Sequence, residues 1–154
     1  MKKFLFMSAL VMGTMSACTA ASDKAQKVEE KAEKEVISDH QIQSAPFVCE
    51  NDVEWESLGE GLKRQILGYD GKIMMVKIVA EQAGPVGVAH AHPHSQTTFV
   101  SSGKFEFTIG EEKRVVTAGD GLYMAPDVMH SCICIEPGVI VDCFSPVRED
   151  FLKK

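Results

Sequence analysis

The 154-residue chain has no apolar run long enough to cross a bilayer as a helix. Its one extended apolar stretch, residues 4–15, falls short of the roughly 20 residues that a span requires. Basic charge is also scarce: 16 Lys and Arg stand against 22 Asp and Glu, with no basic run. That balance argues against a nucleic-acid partner, because phosphate binding needs clustered cations. Between Trp55 and Phe144 no segment keeps a helical period over helix length, which excludes a helix bundle and a sensor with a DNA-binding helix pair. Histidine is scarce too. Of five in the chain, three stand at alternate positions in "HAHPH": His90, His92 and His94.

The front end reads as an export signal. Lys2 and Lys3 precede the apolar stretch, and Ser16-Ala17 precede Cys18. Small residues before a cysteine resemble the lipobox of bacterial lipoproteins, with Met15 where leucine is usual. The expectation is a signal over 1–17 and a mature protein acylated at Cys18, exported and held on a membrane surface facing the periplasm or cell exterior. Removing 1–17, which holds two lysines and no acid, takes the net charge from −6 to −8. Residues 18–45, rich in Ala, Lys and Glu, have too little apolar surface to offset ordering entropy and read as a flexible charged tether. His40 lies in it. Residues 46–154 suffice for one domain with one core.

That domain breaks into short strands. "LKRQILGYDGKIMMVKIVA" reads as a hairpin turned at Asp70-Gly71. "GKFEFTIG" alternates Phe105, Phe107 and Ile109 against Glu106 and Thr108, and "RVVTAGDGLYMAP" gives strand, glycine turn and strand. "HSCICIEPGVIVDCFSP" reads as a second hairpin, turned at Glu136-Pro137-Gly138. The pattern predicts an all-β sandwich or barrel. Cys49, Cys132, Cys134 and Cys143 permit disulfides in an exported protein, but buried thiols acting as small apolar residues are the simpler reading.

Alternate residues of a strand share a face, so His90 and His92 are expected to point together and to hold a metal ion. His130, after "GDGLYMAPDVM", is a further candidate ligand. With Gly84, Gln96, Gly103, Gly119 and Pro126, these residues resemble the two motifs of the cupin family, a double-stranded β-helix or jelly-roll barrel with an internal metal. The resemblance implies His90, His92, Gln96 and His130 as ligands of a divalent ion, with nickel, zinc, iron, cobalt and manganese all open. Gln96 stands where most cupins have glutamate. Its neutral amide leaves the ion's charge uncompensated, which favours Lewis-acid chemistry on an anion over iron-dependent oxygen chemistry.

"HAHPHSQ", "GYDGKIMMV", "KFEFTIG" and "FSPVREDFL" are similar to a narrower group, the pectin-degradation (KdgF-type) cupins that linearise unsaturated monouronates. That resemblance implies catalytic roles for Asp142, Phe144 and Arg148 in the D-x-F-x-x-x-R segment, and a small anionic sugar as substrate. It leaves open whether that sugar derives from pectin or alginate. On the final strand Asp142 and Phe144 share a face, and Arg148 follows the Ser145-Pro146 turn towards the barrel mouth. Alternatives from other classes are a metal-dependent cupin dioxygenase and a non-catalytic uronate-binding lipoprotein. Small cupins also include homodimers, a state that no residue here demonstrates.

Overall fold

A computed structural model of the chain describes residues 42–59 and 61–153. The expected signal, Cys18, His40 and most of the expected tether lie outside the described residues. Eight antiparallel strands follow a short 3-10 turn at Glu50–Asp52: β1 (Glu56–Gly59), β2 (Leu62–Tyr69), β3 (Met74–Ala80), β4 (Gly84–Pro85), β5 (Ser95–Ile109), β6 (Glu112–Thr117), β7 (Gly121–Met124) and β8 (His130–Ser145). One short helix, α1 (Glu149–Leu152), ends the fold. The strand path is β1-β2-β3-β8-β5-β6, with β4 added to β8 and β7 to β5. This is the all-β cupin architecture that the sequence resemblance implies.

The β2–β3 hairpin turns where Asp70-Gly71 predicts. Asp70 Oδ1 accepts from the backbone N–H groups of Lys72 and Ile73 at 2.7 and 3.0 Å, satisfying donors that the turn leaves free. Ser44 exchanges hydrogen bonds with the end of the same hairpin, its N–H donating to Tyr69 O at 2.9 Å and its Oγ accepting from Tyr69 N at 3.1 Å.

The expected hairpin at Glu136-Pro137-Gly138 is absent. β8 runs through that tripeptide as one bent strand, and both its halves pair with β5: Phe105 opposite Cys134, then Thr98 opposite Asp142. The reason is a backbone crossing that local sequence does not reveal. A Cβ on Gly138 would lie 2.1 Å from Ser102 O, and one on Gly103 (φ +82) would lie 2.6 Å from Pro137 O. Only glycine on both strands permits that approach.

Register shifts around Ser102 and Lys104 accompany the bend. They reverse which side chains of β5 face inward: Gln96, Thr98 and Val100 before it, Phe105 and Phe107 after it. Phe105, Phe107, Cys132, Cys134 and Ile140 therefore form one core cluster, with both cysteines as free thiols. Met74, Val76, Phe144 and Val147 form a second. The inward polar set Gln96, Thr98 and Asp142 is left facing the barrel interior on neighbouring strands.

Candidate metal centre

His90 and His130 are joined by an isolated bridge, each backbone N–H donating to the other's carbonyl at 3.0 and 2.9 Å. The expectation that His90 and His92 alternate along a strand is not met. Gly87, at φ +80, and Pro93, which has no N–H to give, interrupt strand pairing on either side. The bridge places the histidines instead.

The ring tautomers follow from the neighbours. His90 Nδ1 lies 2.8 Å from Val88 O, and His130 Nδ1 lies 2.8 Å from Val128 O. A carbonyl can only accept, so each Nδ1 carries the hydrogen and each Nε2 keeps its lone pair. His130 Nε2 is buried and has no hydrogen-bond partner among the described residues. Ligand atoms of His90, His92 and His130 all lie within 4.8 Å of one another. A buried, unpaired nitrogen costs free energy, and His92 Nδ1 is buried and unpaired as well, so this arrangement fits a cation.

Gln96 completes the group through a directed chain. His92 Nε2 is 3.0 Å from Gln96 Oε1, Gln96 Nε2 donates to Thr98 Oγ1 at 3.3 Å, and Thr98 Oγ1 donates to Asp142 Oδ1 at 2.5 Å. Thr98 thereby fixes which way the amide points, leaving its oxygen towards the imidazoles. Burial is the largest influence lowering the pKa of His92 and of His130, and Arg148 and the neighbouring imidazoles lower both further. Both rings are thus held neutral, the form that binds metal.

Asp142 is 4% exposed, and burial raises its carboxyl from 3.8 to about 6 against the opposing hydrogen bonds of Thr98 and Gln96 and the charges of His90 and Arg148. A carboxyl near 6 can both take and give a proton at neutral pH. Phe144 meets the His92 ring edge-on at 5.6 Å. Arg148 has its Cζ 5.4 Å from the Phe144 ring, and its Nε and Nη2 donate to Asp150 at 2.9 and 2.7 Å.

A cavity of about 350 Å³ is lined by His90, Gln96, His130, Asp142, Phe144 and Arg148. The structure therefore brings six of the seven site residues expected from the sequence to one cavity, with His92 buried beside Gln96. His94 is half-buried, its ring 5.3 Å from that of His92. Sequence reasoning missed Thr98, which shares the inward parity of Gln96. It also missed Arg64 of β2 and Phe151 of α1, which line the same cavity.

The cupin-domain family profile matches residues 77–144, the span from β3 through the inward end of β8. The pectin degradation protein KdgF of Dickeya dadantii (strain 3937) is 38% identical over 108 residues, which span 69% of this chain and 97% of that protein. The solved RmlC-like cupin of Shewanella frigidimarina is 41% identical, with a TM-score of 0.68 over 71% of this chain and 97% of its own. The solved KdgF of a Halomonas species is 28% identical, with a TM-score of 0.65 over 70% of this chain and 99% of its own.

Proposed function

The chain belongs to the cupin family, in the group that holds the pectin degradation protein KdgF, and on that footing we propose that it is an enzyme linearising 4,5-unsaturated monouronates to 5-keto-4-deoxyuronate. The observation that carries this reading is Asp142: a buried carboxyl raised to about 6, in a hydrogen-bonded chain from the imidazole group and in the same cavity as Arg148.

The substrate is a cyclic enol ether, with a C4=C5 bond conjugated to the C6 carboxylate and the ring oxygen on C5. Ionised Asp142 takes the proton of the C1 hydroxyl. As the C1 carbonyl forms, the C1–ring-oxygen bond breaks and its electron pair passes to the oxygen on C5. Protonated Asp142 then returns the proton to C4, and C5 becomes a ketone. Atoms and electrons balance as an isomerisation, with no redox partner.

His90, His92, Gln96 and His130 would hold a divalent ion, whose Lewis acidity would stabilise negative charge on the carboxylate and on the C5 oxygen. Arg148, a planar donor fork, would hold the carboxylate in register with Asp142. Phe144 would pack on the sugar face and exclude water from C4.

The test is anaerobic. Metal-loaded protein incubated with 4,5-unsaturated monouronate is expected to abolish the ultraviolet absorbance of the conjugated bond, and Arg148→Ala is expected to slow that loss. Oxygen-dependent turnover would point to a dioxygenase, and binding with no loss of absorbance to a uronate-capturing protein; either overturns the reading. The front end supports an exported, lipid-anchored enzyme acting on sugars released outside the cytoplasm. Palmitate labelling of the protein, lost on Cys18→Ala, is the expected outcome, and labelling that persists in that variant contradicts it.

A further inference from the structure

A second guanidinium lines the cavity. Arg64, on β2, donates from Nε and Nη2 to the two oxygens of Glu56 on β1, at 2.8 and 2.9 Å. Arg148 is held in the same way by Asp150. The aromatic ring of Phe151 carries both, with Arg64 Cζ 3.8 Å and Arg148 Cζ 4.3 Å from its centroid. The two guanidinium carbons are thus no further apart than the sum of those distances, a separation that a single sugar ring and its substituents can bridge.

The two cations stand on different elements. Arg148 follows the end of β8, the strand that carries Asp142 and Phe144, whereas Arg64 lies across β3 from that strand, in register with Ile78 and through it with Ile140. Arg64 therefore lines the cavity from a different strand than Asp142 and Phe144, as do Leu58 and Leu62 of the β1–β2 hairpin. Its side chain is 14% exposed, and the outer carboxylate of Glu56 already balances its charge. Glu56 takes one N–H each from Nε and Nη2, which leaves the Nη1 N–H groups and the second of Nη2 as donors of fixed orientation on a cation whose charge is already compensated. Such donors suit neutral oxygens with fixed spacing.

We propose that Arg64, oriented by Glu56 and by stacking on Phe151, is a specificity-determining residue that hydrogen-bonds the hydroxyl-bearing end of a single uronate ring, opposite the end whose carboxylate approaches Arg148. This rests on the uronate reading above and extends it: the site would read two ends of one sugar. The cavity volume of about 350 Å³, near the lower bound for small-molecule sites, suits a monosaccharide.

The test compares two probes on metal-loaded full-length protein by calorimetry: D-galacturonate, and tetrahydropyran-2-carboxylate, which keeps the ring and carboxylate but has no hydroxyl. Arg64→Met is expected to weaken galacturonate binding about tenfold, the scale of a hydrogen bond from a charged donor, and to leave the hydroxyl-free probe unchanged. In turnover of the unsaturated uronate the same variant is expected to raise KM more than it lowers kcat. Arg64→Lys, which keeps the charge and stem without the fork, guards against a folding defect and is expected to behave alike. Equal weakening of both probes, or no weakening of galacturonate, overturns the role of Arg64 and leaves the uronate reading standing. If the unmutated protein neither binds galacturonate nor turns over the unsaturated uronate, the uronate reading falls and this inference falls with it.

Discussion

Thr98 and Asp142 face each other across the β5–β8 ladder, and the threonine hydroxyl donates to the carboxylate at 2.5 Å inside the barrel. The same hydroxyl accepts from Gln96 Nε2 at 3.3 Å. One oxygen thus orients the amide at the imidazole group and, against the effect of burial, favours the ionised form of the acid.

Replacing Thr98 by valine keeps the branched shape and removes the donor. Ionised Asp142 then loses a hydrogen bond that favours it, so its pKa rises relative to the unmutated protein. Because ionised Asp142 starts the reaction, the acidic limb of the kcat/KM profile is expected to move to higher pH. The amide also loses its orienting acceptor, and metal affinity is expected to fall about 10- to 100-fold. An unmoved acidic limb would contradict the link between Thr98 and Asp142.

Asp142 carries a stability cost that its function explains. Its pKa rises from 3.8 to about 6 on folding, chiefly through burial, so the folded state binds the proton more tightly than the unfolded chain does. That contribution is fully present below pH 3.8 and is lost as pH rises through about 6. Two units correspond to roughly 3 kcal/mol at neutral pH. In metal-free protein, Asp142→Asn is expected to raise the urea midpoint at pH 8 and to leave it nearly unchanged at pH 3.5. The same variant is expected to keep bound metal and to lose about 10²-fold or more in turnover. Near-normal rates in that variant would remove Asp142 from the mechanism.

His130 Nε2 is one of three buried histidine nitrogens without a partner among the described residues, and it lies in the imidazole group, so a bound ion would satisfy it. Elemental analysis after dialysis is expected to find metal on the unmutated protein and little on His130→Ala. Chelation is expected to abolish turnover, and added divalent metal to restore it. Full activity in the chelated protein would contradict a metal role.

Gly138 is the tightest backbone approach among the described glycines. Gly138→Ala places a methyl carbon 2.1 Å from Ser102 O, in fixed backbone on both sides. Soluble yield and thermal midpoint are expected to collapse, with a loss above about 4 kcal/mol. A variant that folds normally would show that the crossing has more room than the structure gives it.

The contrast between legible and hidden features has a physical basis. The Asp70-Gly71 hairpin is local chemistry, readable because a two-residue turn must be made by its own residues. The shared face of Asp142 and Phe144 is readable from strand parity, whereas the set His90, His92, Gln96 and His130 comes from the resemblance to the cupin motifs. The continuity of β8 was not, because Pro137-Gly138 has turn composition and its purpose lies in contact with Ser102 and Gly103, 34 or more residues away in sequence. The absence of a strand at His90 and His92 was hidden for a related reason: the pairing that places His90 is a single bridge to His130. Arg64 is not legible as a cavity residue, because a charged residue in an alternating strand has the same pattern whether it faces solvent or a cavity.

Proton nuclear magnetic resonance of the reaction in D₂O tests the central claim most directly. With metal-loaded protein under anaerobic conditions, the vinylic C4 proton of the unsaturated uronate is expected to vanish as an open-chain product appears, deuterated at C4 and carrying an aldehyde or its hydrate at C1. Persistence of the vinylic signal, or its loss without deuterium at C4, would contradict the account.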